Sequence, residues 1–493
     1  MNPFVTQEFI IKKIKSYNRA HLLNNLFYTL KQFDLREEHN HPLWHYFLLI
    51  KLTFLHGNEN GKKTFSREKF ITLLKYVEKF EKKSLDPYVK NHQWDKFFQI
   101  IGYQQFYLQQ DVHWSDFARQ LKLFGSSLKS KYDIEKSFNE KTELKLFDFI
   151  FFMQIVWMFT QANRMNKGTI YTGYIGEEIF EMMKDIFNYQ KEFSNFLMLL
   201  TLNKLNIKKS INQFKTGIKH TALQSFEMSF FTQLPFIINS ENKYEIVHRS
   251  IFNYCCNYFI YDYLKINDEK FTEEFGKRFE KYVELGLKEC NVEYITEKDL
   301  IKTYGKGEKI VDYIVDNQVL IECKGIEPKP LSSIIPENEI VYSAFKDSIF
   351  KAYLQQMLNI TKLVQNLNKP IYGIIICYKD FYLSSLDDYA GILADDIKSI
   401  CEKNNWKDNP LPLENVFVIS INNWDIIVEY LKEKKVTLPN LLNDIVNNNR
   451  IEKHKWFLGL LKQYGNAKAN LSYLETENKT LSDAFPTPSE LQE

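Results

Sequence analysis

From Thr6 to about Lys265, hydrophobic residues recur at three- and four-residue steps, the period of a helix with a buried face. Segments such as FITLLKYVEKFEKK, WDKFFQIIGYQQFYLQQ and FDFIFFMQIVWMFTQ carry the pattern. Breaks are expected at the Gly57–Gly61 loop, around Leu85–Pro87, at Ser126–Ser127 and near Gly168–Gly176. One stretch, PFIINSENKYEIVHRS, alternates around a polar turn and predicts a small hairpin. No repeat of fixed period stands out. Residues 1–267 therefore read as all-α, one domain or two.

The pattern changes after Asn267. A helix, FTEEFGKRFEKYVELGLKE, precedes a short strand candidate, VEYIT, and a hairpin over Lys309–Lys324. A polar loop with three prolines is expected to end near Ser343. Then come a helix (KDSIFKAYLQQMLNITKLVQNL), a buried strand (PIYGIIICY), a helix (DDYAGILADDIKSICEKN), a strand (VFVISI) and a closing helix. Helices alternating with apolar strands predict an α/β domain over 268–436, a mixed central sheet flanked by helices. Residues 437–493 read as an extension, helical from Leu438 to about Leu474 and then, in TENKTLSDAFPTPSELQE, of disordered composition.

Length and composition narrow this picture only slightly. A chain of 493 residues has room for two or three cores. Forty Phe and 29 Tyr against 17 Gly and 13 Pro favour long packed elements over turns. The net charge of +2 carries no global basic signature, so nucleic-acid binding requires local clustering of Lys and Arg. The six cysteines lack any CxxC spacing, which argues against a zinc cluster or disulfide framework and fits a reducing, cytoplasmic setting. No signal-peptide pattern opens the chain. The most apolar run, Leu144–Phe159, is interrupted by Lys145, Asp148 and Gln154, so it predicts a buried helix and not a membrane span.

Candidate chemistry concentrates in Lys309–Gly325, KIVDYIVDNQVLIECKG. Asp312, Glu322 and Lys324 supply two hard oxygen ligands and a fixed positive charge, a set suited to a divalent cation and a phosphodiester. Side chains alternate faces along a strand, so Glu322 and Lys324 share a face with Leu320, and Asp312 shares one with Ile310 and Ile314. Asp312 lies opposite Glu322 only if the connecting loop holds an odd number of residues. A three-residue loop, Asp316-Asn317-Gln318, meets the condition, and Asn317 tolerates the left-handed backbone such a loop uses. Spacing alone is not specific. Asp133, Glu143 and Lys145 repeat it, and Asp387, Asp396 and Lys398 approach it, but both sets lie in helical sequence.

In that strand context the hairpin resembles the core of the PD-(D/E)XK nuclease superfamily, the restriction-endonuclease-like fold. Val311 stands where that family often has proline. The similarity runs over roughly Phe271–Leu431 and includes the order helix, three strands, helix, strand. Gly276, Phe279, Glu280 and Val283 match a G-x-x-F-E-x-x-V pattern whose glutamate faces the metal. A glutamine on the later helix corresponds to Gln356, with Gln355 in reserve. The resemblance implies Mg²⁺, for which Mn²⁺ can substitute, bound by Asp312, Glu322, Glu280 and the backbone carbonyl of Cys323. Lys324 would polarise the attacking water. The plain alternative for Glu280 is an exposed residue paired with Lys277.

The implied activity is metal-dependent hydrolysis of nucleic acid, DNA ahead of RNA, with no membrane partner. The helical domain would bind the substrate, a protein trigger or an inhibitor. A role in bacterial genome defence against phage rests on that analogy alone. An RNA endonuclease of the same fold and a catalytically silent binding module are the rivals. Other constellations are weaker. His39, His41 and His45 are near-neighbours without an acidic or thiolate set, and read as a helix start. Gly305-Lys306-Gly307 forms no complete phosphate-binding loop, and Lys302, Lys306 and Lys309 are either phosphate contacts or solvated charges.

Overall fold

A computed structural model describes residues 5–33, 41–63, 65–102, 104, 111–128, 131–165, 177–202, 207–213, 222–238, 243–304, 309–326, 329–364, 369–380, 386–434, 436–448 and 471–485. Among the described residues the first half is mainly helical and contains the expected hairpin, β1 (Phe236–Ile238) paired antiparallel with β2 (Tyr244–Ile246). The helix Arg67–Lys90 starts where the Ser66 hydroxyl accepts from Lys69 N–H. It runs through Pro87, contrary to the expected break. Leu85 and Tyr88 pack there against Trp44, Ile100 and Phe226, so tertiary packing holds a last turn that proline weakens. The apolar run forms the helix Leu146–Met165. Among the described residues no helix is long and apolar enough to cross a membrane. All six cysteines are free.

The second half holds a five-stranded mixed sheet. β3 (Tyr294–Thr296), β4 (Tyr313–Val315) and β5 (Val319–Lys324) are antiparallel neighbours. β6 (Tyr372–Cys377) and β7 (Val416–Ser420) continue the order in parallel. Two-residue alternation divides the sheet between two apolar layers. Val319, Ile321, Ile374 and Ile376 face the helices Phe271–Glu289 and Ile421–Lys434, while Leu320, Ile375 and Cys377 face Tyr353 and Met357. The two helices of the first layer touch closely at Gly286. A Cβ there would lie 2.6 Å from Trp424 Nε1 and 2.8 Å from Val428 Cγ2.

Three further elements differ from the sequence reading. A helix, Glu297–Tyr304, fills the gap between β3 and β4. The proline-containing loop ends earlier than expected, because Asn338–Phe345 is helical and buries Val341 and Phe345. The tail expected to be disordered forms a helix over Glu475–Asp483, anchored by buried Leu481 and a 3.0 Å ion pair between Glu477 and Lys122. Residues 486–493 and 449–470, with the Gly168–Gly176 break, lie outside the described residues.

The apolar layer behind the sheet is continuous with that of the first half. Phe124 stacks on Phe275 at 5.5 Å, and Phe275 meets Tyr261 and Tyr378 at 4.9 Å each. The helix Arg249–Asn267 lies across the C-terminal ends of β5 and β6, where Tyr261 OH donates to Gly325 O at 2.8 Å. A core therefore crosses the change in sequence character after Asn267.

Candidate active site

The loop between β4 and β5 holds three residues, Asp316, Asn317 and Gln318, closed by Gln318 N–H donating to Val315 O at 3.0 Å. Both Asp316 (φ 51°) and Asn317 (φ 50°) are left-handed, one more than the sequence reading required. The register pairs Tyr313 with Ile321 and Ile314 with Leu320, so its next step sets Asp312 opposite Glu322. Asp312 Oδ2 accepts from Cys323 N–H at 2.6 Å, across the end of the hairpin. The Cys323 side chain turns to the opposite face and is buried in the apolar layer.

Glu322 is only 2% exposed. Its Oε1 accepts from the Lys324 ammonium and, at 2.6 Å, from Gln356 Nε2. Gln356 also accepts from Lys324 at 3.1 Å and donates to Ile310 O at 3.2 Å. It lies in a π-helical turn, Ala352–Met357, inside the helical run Ile349–Val364. Such turns re-aim side chains. The reserve residue, Gln355, instead accepts from Lys309 in an exposed contact. Gln356 is thus the glutamine that meets the hairpin carboxylate and lysine.

Glu280 approaches from the helix Phe271–Glu289, whose position is fixed by Tyr313 OH donating to the Glu280 carbonyl at 3.0 Å. Lys277 pairs with Glu273 and Glu274, at 2.8 Å each. Burial, helped by Glu297 and Glu322, pushes Glu280 up to about 7. Burial also raises Asp312, with Glu280 adding to the shift, and raises Glu322, with Asp312 adding. For Lys324, burial works against the charge, but Glu322 beside it prevails and the ammonium is held above its ordinary value.

Among the described residues, no group of three or more His, Cys, Asp or Glu side chains is arranged to hold a metal ion. Asp312 is turned to Cys323 N–H and one Glu322 oxygen to Lys324 and Gln356. The other oxygen, Glu322 Oε2, is buried without a hydrogen-bond partner. Mutual repulsion and an orphaned carboxylate oxygen fit a hard cation that takes few carboxylates and completes its shell with water and phosphate.

A cleft of about 760 Å³ opens over Asp312 and Glu280. Its exposed lysines include Lys131 from the helical half, which sequence reading did not connect to the hairpin. Of the other lysines considered, Lys302 pairs with Asp299 at 2.8 Å, and Lys306 lies outside the described residues with its glycine loop.

Of the two other sets with similar spacing, Asp133 and Glu143 cap opposite ends of the helix Ile134–Thr142, and Asp396 accepts from Tyr342 OH. His45 lies 2.7 Å from Glu81 in a buried pair, with the His41 ring 5.9 Å away; His39 lies outside the described residues. The chain matches no family model, no curated protein and no solved structure.

Proposed function

We propose that this protein is a PD-(D/E)XK-type nuclease that hydrolyses phosphodiester bonds with Mg²⁺, DNA ahead of RNA, on a restriction-endonuclease-like core. The observation that carries the reading is the end of the hairpin, where Asp312, one residue before the Tyr313–Ile321 pair, accepts from Cys323 N–H and Lys324 donates to Glu322. Asp312, Glu322 and the Cys323 carbonyl would hold the ion, with Glu280 beside them. Bound there, Mg²⁺ supplies Lewis-acid neutralisation of phosphoryl charge and lowers the pKa of water.

The remaining steps belong to side chains. The Lys324 ammonium, held by Glu322 and Gln356, offers a fixed positive charge to the pentavalent phosphorus and orients the incoming water. Water oxygen bonds to phosphorus as the bond to the leaving sugar oxygen breaks; the proton the water gives up passes to solvent, and the leaving oxygen takes one from solvent. Gln356 positions Lys324 and Glu322 together through its two contacts.

The test is cleavage of supercoiled plasmid and of total RNA by the full chain, with Mg²⁺ or with EDTA. Plasmid nicking that needs Mg²⁺ and falls about 100-fold or more in Lys324→Ala is expected. Cutting by Lys324→Ala at the wild-type rate overturns the assignment. RNA cleavage without DNA cleavage would move the substrate class.

A further inference from the structure

The cleft over Asp312 is built from both halves of the chain and carries charges of both signs. Glu280, Asp312, Glu274 and Glu284 line it half-buried, Arg278 is buried, and Lys131, Lys277, Lys281, Lys298 and Glu297 are exposed, with Lys277 paired to Glu274. Lys277 and Lys281 come from the helix that carries Glu280, and Lys298 comes from the helix Glu297–Tyr304. Lys131 comes from the connector before the helix Ile134–Thr142, in the helical half. Lys131 and Lys298, with Lys281, beside the Asp312 carboxylate suit a polyanion whose reacting phosphate reaches Asp312 while its neighbours meet the ammonium groups.

Residues on either side of Lys131 along the described connector are tied to the Glu280 helix. Arg278 donates to Leu123 O at 3.3 Å, to Gly125 O and to Tyr132 O at 3.3 Å, tying the end of the helix Trp114–Phe124 and the residue after Lys131 to the Glu280 helix. Tyr132 OH and Ser137 Oγ both donate to Asp268. Lys131 therefore stands on a backbone held by the same helix that presents Glu280. A lysine fixed at that position extends the cleft wall beyond the sheet-bearing half.

We infer that the DNA backbone runs through this cleft, and that the helical half grips it through Lys131 opposite Lys281 and Lys298. The inference rests on the nuclease reading for its substrate and gives the helical half a part in substrate binding. Each ammonium set against a phosphate releases condensed counterions, so the contact carries a salt signature.

The experiment is fluorescence anisotropy of a labelled DNA duplex with the full chain in EDTA, where binding is read without cleavage. Wild type is compared with Lys131→Glu, Lys131→Glu/Lys281→Glu, Lys131→Arg, and Lys403→Glu as an exposed control on another helix. The double variant is expected to bind about tenfold or more weakly at moderate salt, with the slope of log affinity against log salt reduced by about two. Lys131→Arg should bind like wild type. Double-variant binding within about twofold of the Lys403→Glu control overturns the path through the cleft, while leaving the nuclease reading standing. If wild type binds no DNA at any salt, the nuclease reading itself fails. An RNA of the same sequence bound more tightly, and weakened by the same reversals, overturns the assignment to DNA.

Discussion

Glu280, Asp312 and Glu322 share one poorly solvated corner, and burial with mutual repulsion favours their protonated forms. The consequence for stability has a definite sign. A carboxyl whose folded value lies above its unfolded one favours the fold while it carries its proton. Its contribution is complete below the unfolded value of 4.5 and is lost as pH rises through about 7, the Glu280 value. A divalent cation competes with those protons, so Mg²⁺ should raise the melting temperature more at pH 8 than at pH 6. Thermal unfolding in Mg²⁺ and in EDTA at both pH values reads this directly. Equal shifts at the two pH values would mean that the cation, if bound, sits elsewhere. In Glu322→Gln the Mg²⁺ effect at pH 8 should shrink, since that change removes the orphaned oxygen's charge while keeping its volume.

At the scale of elements, the hairpin loop decides whether the carboxylates meet. Two successive left-handed residues are needed, and Asn317 supplies one at little cost because its short amide tolerates that backbone. Asn317→Val should destabilise the chain by about 1–2 kcal/mol, whereas Asn317→Gly should change it by less than about 0.5 kcal/mol. Urea denaturation of both variants checks the pair, and equal losses would show that the loop backbone is not what limits them. The parity of this loop was legible in the sequence because a two-residue period leaves only two faces. The preference for Gln356 over Gln355 likewise agrees with the contacts to Lys324 and Glu322. Other elements left weaker signals. Glu297–Tyr304 spans only eight residues, too few for helical periodicity to separate from a loop. The π-helical turn at Ala352–Met357 departs from the 3.6-residue period that the reading assumed. Glu475–Asp483 is polar along most of its length, and its packing partners lie far upstream, as do the elements that bring Lys131 to the cleft. Those contacts are tertiary, and a single sequence carries no local trace of them.

At the scale of the whole molecule, a buried charge cluster ties the helix Trp114–Phe124 to the sheet-bearing half and to the C-terminal extension. Arg119, on the helix Trp114–Phe124, pairs with Asp116 and, at 2.6 Å, with Asp425 on the helix Ile421–Lys434. Tyr282 OH, from the Glu280 helix, donates to Asp425 at 3.0 Å, and Tyr473 OH, from the C-terminal extension, does so at 3.1 Å. Burial raises the Asp425 carboxyl, with Arg119 opposing the shift. Replacing Arg119 with methionine keeps much of the volume but leaves two buried carboxylates without their cation. Breaking a buried pair from one side costs about 3–5 kcal/mol. The Phe124–Phe275 stacking and the crossing core should transmit that loss to both halves, giving one unfolding transition at lower urea. Adding Asp425→Asn to Arg119→Met should recover part of the loss, because the amide needs no counter-charge and can still accept from both tyrosines. Tryptophan fluorescence and far-ultraviolet circular dichroism should move together in each variant. Separated transitions, or a loss below about 1 kcal/mol for Arg119→Met, would show that this junction does not couple the helical half to the sheet.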